Sequence, residues 1–230
     1  MKRSKKIISL VAVLVVIIAA VSIRAALSIE KGSCGENVNY KYNPFSDTLI
    51  VSGSGPMADY DDPYDFYNEN KNETPFHELY NIKKVIIEEG ITYIGENAFA
   101  RVSEIRSITI PQSVTSIGSF AFKGCYELPE ISIPATVTEM GYAPFSGCSK
   151  LKSITVDKEN KSFVNDEAGA LFSSDMTRLI NFPAGNELKA YTISESVEEI
   201  DPSAFLSCYN LESVVIPDGI KSIEADTFNG

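Results

Sequence analysis

Apolar residues recur along this chain at a fixed interval of 23 residues. The stretches 82–104, 105–127 and 128–150 are equally long, and the same residue types return at matching positions in each. Self-similarity at a short fixed interval is typical of stacked units that pack only against their neighbours. The pattern therefore predicts a repeat solenoid. Three positions mark the interval most clearly: Phe99, Phe122 and Phe145, then Gly95, Gly118 and Gly141, then Val85, Ile108 and Ile131.

Each unit begins with a segment whose alternation predicts a β-strand. In the second unit Ile108 and Ile110 fall on one face of the strand, and Ser107 and Thr109 fall on the other. Stacked units would bury the inward residues together in a parallel sheet with strands about 4.8 Å apart. A proline usually ends the segment, because it has no N–H to donate to a sheet; these prolines are Pro111, Pro134 and Pro217.

Two further apolar segments complete the unit. Val114 and Ile117 form the second segment, and Gly118 after them predicts a corner. Residues 121–122 and Cys125 supply a third inward-facing segment, which we expect to be a short helical turn. One such unit has three apolar sides and nothing to bury them against, so only stacking makes it stable.

The units begin at residues 82, 105, 128, 151, 188 and 211. The unit that begins at 151 has 37 residues, 14 more than the standard 23. The additional piece, 169–183, has apolar runs on both sides of Ser174–Thr177 and predicts either a β-hairpin or an additional rung. Insertions in solenoids lie on one face, often the binding face. The last unit, 211–230, stops one residue before the repeat's cysteine, so we expect the chain either to fray there or to be part of a longer protein.

Residues 1–26 carry five basic and no acidic residues and contain the apolar run Ile7–Ile23. This order predicts a secretory signal peptide with a cleavage site near Ala20–Ser22. The run has 17 residues and Arg24 follows it, so an uncleaved N-terminal membrane anchor is the alternative. Both interpretations predict a secreted or cell-surface protein.

Residues 27–81 do not follow the interval and are predicted to form an N-terminal capping segment. Leu49–Ser52 alternates as a strand, and an acidic, tyrosine-rich loop follows at Asp59–Tyr67. The end of a solenoid exposes apolar core, and a terminal cap is needed to cover it. The solenoid itself is predicted to span 82–230.

The repeat resembles the BspA type of leucine-rich repeat, which occurs in surface proteins of bacteria and some protozoa. The matching motif is L-x-x-I-x-I-P-x-x-V-T-x-I-G-x-x-A-F-x-x-C, and it extends from residue 82 to the C-terminus. The resemblance implies an α/β repeat solenoid that is right-handed, with a parallel β-sheet, short helical or 3-10 turns and a small β-rich N-terminal cap. It also implies binding or adhesion rather than catalysis.

The chain carries a formal net charge of −11, from 20 basic and 31 acidic residues. Without 1–26, 15 basic residues remain against 31 acidic ones, which gives −16. Such a surface repels nucleic acid and anionic lipid head groups. We therefore expect no nucleic acid as partner and membrane contact only through the N-terminal segment. The resemblance implies a protein or cell-surface ligand as partner.

Three of the four cysteines, Cys125, Cys148 and Cys208, occupy one position of the repeat. As a small hydrophobic residue, cysteine suits a buried column, and free buried thiols are the favoured interpretation. A disulfide between Cys125 and Cys148 is the alternative, because adjacent rungs lie within disulfide reach. Cys34 is left as a candidate for redox reactivity, and the absence of C-x-x-C spacing argues against zinc.

Other candidate chemistry is sparse, and no catalytic residue, cofactor or metal site is predicted. The one histidine, His77, has no nucleophile or further ligand beside it in the sequence. Asn72–Thr74 is a glycosylation sequon that matters only in a eukaryotic secretory pathway. Four aspartates of the acidic loop could together hold Ca²⁺, but the loop lacks the glycine and terminal glutamate of an EF-hand, so a solvated loop is favoured; they are Asp59, Asp61, Asp62 and Asp65.

The outward positions of the strands are the candidate binding surface. Small hydroxylated residues suit any exposed sheet, but repeat solenoids also use such broad faces to bind macromolecules. The favoured hypothesis is a surface protein that binds a protein partner there. The alternatives are a targeting or spacer module of a longer secreted protein or enzyme and, least favoured, an enzyme in its own right. The predicted partner-binding residues are Ser107, Thr109, Glu130, Ser132, Ser153 and Thr155.

Overall fold

The computed structural model describes residues 29–63, 67–69 and 72–229. The signal peptide or anchor predicted at 1–26 lies outside the described residues. The described ranges form a β-solenoid of about six turns, with 17 short strands and no helix. In chain order the strands are β1 (Glu30–Ser33), β2 (Val38–Asn43), β3 (Thr48–Gly53), β4 (Gly55–Pro56), β5 (Lys84–Ile87), β6 (Ile91–Ile94), β7 (Ser107–Thr109), β8 (Ser116–Ile117), β9 (Glu130–Ile133), β10 (Glu139–Met140), β11 (Ser153–Val156), β12 (Phe163–Asn165), β13 (Leu171–Ser173), β14 (Arg178–Asn181), β15 (Ala190–Thr192), β16 (Glu199–Ile200) and β17 (Ser213–Val215).

Two parallel ladders run along the solenoid, one for each of the first two apolar segments of the unit. In the first ladder β5 pairs with β7, β9 with β11, and β15 with β17. In the second ladder β6 pairs with β8, β8 with β10, and β14 with β16. In the regular units the register joins residues 23 apart, as in Val85 with Ile108 and Tyr93 with Ser116. The predicted interval and parallel pairing are confirmed.

A column of phenylalanines fills the third side of the solenoid. Phe99 and Phe122 stack with ring centroids 5.4 Å apart, and Phe122 and Phe145 with centroids 5.6 Å apart. All three rings are buried. Phe76 extends this column in front of the first predicted unit, with its ring 5.1 Å from Phe99.

The short helical turns predicted for this side are wrong, because left-handed residues interrupt the backbone twice in a turn. In the first unit these are Asn97 and Arg101, with φ of 53° and 64°. Alternate N–H groups then point at the neighbouring rung: those of Asn97, Phe99 and Arg101 donate to carbonyls of the next unit at 3.1, 2.8 and 2.7 Å. An α-helix would direct these N–H groups along its own axis. Hydrogen bonds to the neighbouring rung therefore take the place of the hydrogen bonds within a helix.

The segment before the first predicted unit is β-rich, as expected of a cap. Strands β1 and β2 pair antiparallel with each other, and β2 pairs antiparallel with β3. Strand β3 then pairs in parallel with β5, so the segment both covers the edge of the first ladder and contributes a strand to it. The boundary between 27–81 and 82–230 stays a prediction.

The insertion in the fourth unit is a hairpin, which settles the two alternatives that the sequence left open. Strands β13 and β14 pair antiparallel, and β12 pairs antiparallel with β13 on its other side. Strand β14 then pairs in parallel with β16 and returns the chain to the second ladder. The phenylalanine column resumes after the hairpin as Phe182, Phe205 and Phe228.

The corner glycines are required by close approach between rungs. A Cβ added at Gly118 would lie 2.5 Å from the backbone nitrogen of Glu96, and one at Gly141 would lie 2.3 Å from that of Ser119. After the hairpin the corner position is occupied by Asp201, which is buried. Its carboxylate accepts two hydrogen bonds from Arg178 of β14, at 2.6 and 2.7 Å. This bidentate ion pair joins the hairpin to the following rung.

Candidate binding face

The six predicted partner-binding residues lie on three successive strands of the first ladder, β7, β9 and β11. We call the outward side of these strands the strand face. Register places Glu130 beside Ser153 and Ser132 beside Thr155. Ser153 is half-buried, and the other five side chains are exposed, as the alternation predicts. The structure therefore brings the predicted residues together on one surface.

The first ladder is interrupted between β7 and β9, in the middle of the strand face. In the rungs on either side, an N–H near the start of the strand donates to the preceding rung, as from Arg106 to the Lys83 carbonyl and from Lys152 to the Pro129 carbonyl, both at 2.8 Å. At the break this position is Pro129, which has no N–H. Within the described ranges, no backbone N–H donates to the Arg106 carbonyl. The proline thus explains the opening of the sheet.

A shallow depression of about 280 Å³ lies at this break. The side chain of Ile108 is half-buried there, although its counterparts Val85 and Ile131 are fully buried. Four of the six predicted residues line the depression, so it forms the centre of the strand face. Its lining residues are Arg106, Ser107, Ile108, Glu130, Ile131, Ser132 and Thr155.

Charged side chains border the strand face at the start of each strand. Glu127 pairs with Lys150 at 2.6 Å and with Arg106 at 3.8 Å. The hydrogen bond from Lys150 lowers the pKa of the Glu127 carboxyl. Glu130 on the face itself is exposed and makes no ion pair within the described part of the chain. The face therefore presents one uncompensated carboxylate among small hydroxyl groups.

Sequence reasoning missed two residues at the centre of this surface. Arg106 borders the depression with more than half of its side chain exposed, 58%. Pro129 creates the break, and its signal was visible: the same position carries a basic residue in most other units. The alternation of β9 gave no hint, because it continues unchanged beyond the proline.

The four cysteines are free thiols. The alternative prediction of a disulfide between Cys125 and Cys148 is therefore wrong for this structure. Both are fully buried, and burial raises the pKa of the Cys148 thiol to about 12. Burial likewise raises the pKa of Cys208 and of Cys34 to about 12. A raised thiol pKa lowers the fraction of reactive thiolate, so Cys34 does not fit a redox role.

The remaining candidates have structural partners. His77 Nε2 lies 2.6 Å from the Ala100 carbonyl oxygen. Asp59 accepts hydrogen bonds from the Tyr93 hydroxyl and the Glu96 N–H, at 2.7 and 2.8 Å. Among the described residues no group of three or more potential ligands is placed to hold a metal ion, and Asp65 lies outside them.

Two side chains of the sequon also make hydrogen bonds within the protein. Thr74 is buried and donates its hydroxyl to the Ala98 carbonyl at 2.7 Å, while the Asn72 side-chain amide donates to the Asp59 carbonyl at 3.1 Å.

No helix in the described ranges is long and apolar enough to cross a membrane.

The stacked rungs, the two parallel ladders and the strand face define a repeat protein of the β-solenoid class. The family model for the BspA type leucine-rich repeat region matches residues 71–186 and 170–230 in six copies. The chain therefore belongs to the BspA-type leucine-rich repeat family, as the resemblance of its motif implied. Proteins of this family are often involved in surface adhesion or protein binding and are typically non-enzymatic.

Solved structures with the same fold are distant in sequence. A leucine-rich repeat protein from Eubacterium ventriosum is 22% identical, with a TM-score of 0.50 over 84% of this chain and 61% of its own. The pneumococcal vaccine antigen PcpA is 17% identical, with a TM-score of 0.52 over 84% of this chain and 71% of its own. The chain thus spans less than two thirds of the Eubacterium protein. A comparison with curated proteins found no match.

Proposed function

We propose that this is a secreted or cell-surface binding protein whose strand face recognises a protein partner. The observation that carries the proposal is the convergence of four predicted outward residues on the depression at the β7–β9 break. Inward positions are committed to stacking, so the outward positions are the ones free to suit a ligand. Export is proposed from the basic and apolar order of 1–26.

The shape of the surface favours a macromolecule over a small ligand. Small-molecule sites are enclosed clefts of about 300–1,000 Å³ that bury most of their ligand. The depression at the break is shallow and lies on a broad face of exposed strands. A protein partner can cover the whole face and place one side chain in the depression.

The test uses a partner captured by the full chain and identified by mass spectrometry. Thr109, Ser132 and Thr155 are replaced together by lysine, which places three long charged side chains across the face. Exposed substitutions usually change stability by about 0.5 kcal/mol or less each, so the variant should fold. We expect its affinity for the identified partner to fall by at least about tenfold.

The matched control replaces Thr92, Thr115 and Thr138 by lysine. These threonines belong to the first three units and are also exposed; Thr92 lies in β6, and Thr115 and Thr138 directly precede β8 and β10 of the second ladder. The control should bind like the unmodified chain. Equal affinity of both triple variants would refute the strand face and favour the alternative, a targeting or spacer module of a longer secreted protein or enzyme.

A further inference from the structure

Another depression lies where the capping segment meets the first two units, and it shares no residue with the strand face. Its volume is about 310 Å³. Four of the residues that line it carry carboxylates, and we call it the acidic depression. They are Asp59, Asp61 and Asp62 of the acidic loop and Glu96 of the first unit.

The acidic depression carries more negative charge than the protein neutralises. Asp62 pairs with Lys123 at 3.0 Å, but Glu96 makes no ion pair within the described part of the chain. Burial and then the charges of Asp59 and Asp62 raise the pKa of the Glu96 carboxyl. A raised carboxyl pKa means that the charged form is disfavoured by its surroundings. A bound cation would relieve this repulsion.

Asn97 at the same depression points independently to a ligand that donates hydrogen bonds. Its side chain is only 3% exposed and belongs to the lining of the depression. The Nδ2 group donates to the Tyr60 carbonyl at 2.9 Å, whereas Oδ1 has no hydrogen-bond donor among the described residues. A buried acceptor without a donor destabilises a protein, and a ligand with N–H groups would satisfy it.

The arrangement of these acceptors fits an organic cation better than a metal ion. Among the described residues no group of three potential ligands converges on one point. Asp61 also accepts a hydrogen bond from the Asn72 N–H at 2.7 Å. A guanidinium group is planar and carries five N–H donors, so it can reach acceptors on several sides at once, whereas an ammonium group has three donors on one atom.

We propose that the acidic depression binds an arginine side chain of a protein partner. The guanidinium lies between the carboxylates of Asp61 and Glu96 and donates a hydrogen bond to Asn97 Oδ1. The net charge of −11 favours the approach of a basic partner. This site is separate from the strand face and does not depend on its function.

The probes are glycine peptides with blocked termini that carry one central arginine, lysine or citrulline. Citrulline has nearly the shape of arginine but no charge. Each peptide is titrated into the full chain, and chemical-shift changes of the backbone amides are followed by NMR. We expect saturable changes at Asp61, Glu96 and Asn97 with the arginine peptide. Its affinity should exceed that of the lysine peptide by about threefold and that of the citrulline peptide by about tenfold.

Glu96→Gln should lower the affinity for the arginine peptide by at least about fivefold, because a charge-assisted hydrogen bond is lost. The variant should fold, since the Glu96 backbone N–H still donates to Asp59 at 2.8 Å. The matched control is Glu139→Gln, which changes an exposed glutamate of β10 outside the depression. It should bind like the unmodified chain.

Equal affinity for the arginine and lysine peptides would overturn the proposal, because it would reduce the depression to an acidic surface without selectivity. The same holds if Glu96→Gln binds like the unmodified chain, or if Glu139→Gln loses as much affinity as Glu96→Gln. None of these results bears on the strand face, whose test uses different residues.

Discussion

Left-handed backbone recurs at two positions in the turns of the third side, and only some of these residues are glycine. One position is occupied by Asn97, Phe120 and Ala143, with φ of 53°, 56° and 43°. The other is glycine at Gly147 but serine at Ser207, with φ of 71° and 63°. Non-glycine residues in this region are strained by about 1 kcal/mol or more each, and the hydrogen bonds between rungs hold them there.

The strained position gives a matched pair of substitutions. Ser207→Gly should raise the free energy of unfolding by about 0.5–1 kcal/mol. The backbone strain that glycine relieves in the folded protein is larger than the stability lost through the greater conformational entropy of the unfolded chain. Gly147→Ala should lower it by about 1 kcal/mol. The new methyl group has room, since its nearest neighbour is 3.7 Å away, so the loss reports backbone strain alone. Urea unfolding measures both, and equal shifts of the same sign would contradict this assignment.

The phenylalanine column sets the largest single-residue contributions. Phe122→Ala should lower the free energy of unfolding by about 3–5 kcal/mol, because it leaves a cavity between two stacked rings. Phe99→Ala and Phe145→Ala should behave alike, since all three rings are buried. Losses below about 1 kcal/mol in urea melts of all three variants would show that the register is wrong.

These residues also show what sequence can predict at this scale. The phenylalanine column could be predicted, because the 23-residue interval between its members is visible in the sequence. The left-handed positions could not be inferred, because Asn97, Phe120 and Ala143 share no residue type that favours positive φ. Their conformation is imposed by the next rung, which is a tertiary effect.

At the scale of elements, the hairpin is held by the ion pair between Arg178 and Asp201. Arg178 also lies over the ring of Tyr142, 5.3 Å from its centroid, and so connects the hairpin to the third unit. Burial raises the pKa of the Asp201 carboxyl to about 6, against the opposing effect of Arg178. The hairpin was foreseeable from its two apolar runs, but this pair was not, because Arg178 lies inside the insertion, whose register against the next unit the sequence does not define.

Arg178→Ala should destabilise the protein by about 3–5 kcal/mol at pH 8, because it leaves a buried carboxylate without its cationic partner, with only the backbone hydrogen bond from Ala143 remaining. The loss should be smaller at pH 4.5. A carboxyl whose pKa is raised in the folded state stabilises that state fully below its unfolded pKa of about 3.9, and the contribution is lost as pH rises through about 6. Chemical unfolding at both pH values measures the difference, and an equal loss at both would contradict a buried charge at Asp201.

The break between β7 and β9 gives a second prediction for an element. Pro129→Ala supplies an N–H opposite the Arg106 carbonyl and should extend the ladder across the break. We expect slower hydrogen exchange in β7 and β9, stability raised by about 0.5–1.5 kcal/mol, and weaker binding of the protein partner as the depression closes. The control is Pro134→Ala, which follows β9. Unchanged exchange in the Pro129 variant would mean that another feature opens the sheet.

At the scale of the whole molecule, the solenoid separates packing from recognition. The buried columns fix the spacing of the rungs, and the strand face is the surface that we propose for recognition. The alternation of Ser107–Thr109 against Ile108 was enough to predict which residues face outward. The depression was not predictable from alternation, because it arises from one missing N–H at Pro129 within an otherwise regular strand.

Site-specific photo-crosslinking to the captured protein partner tests the strand face most directly. A benzophenone amino acid is placed at Ser132 on the strand face, and in a separate variant at Thr115 beside the second ladder; both positions are exposed. The proposed function predicts a covalent product with the partner from position 132 and none from position 115. A product from position 115 with none from position 132 would contradict it.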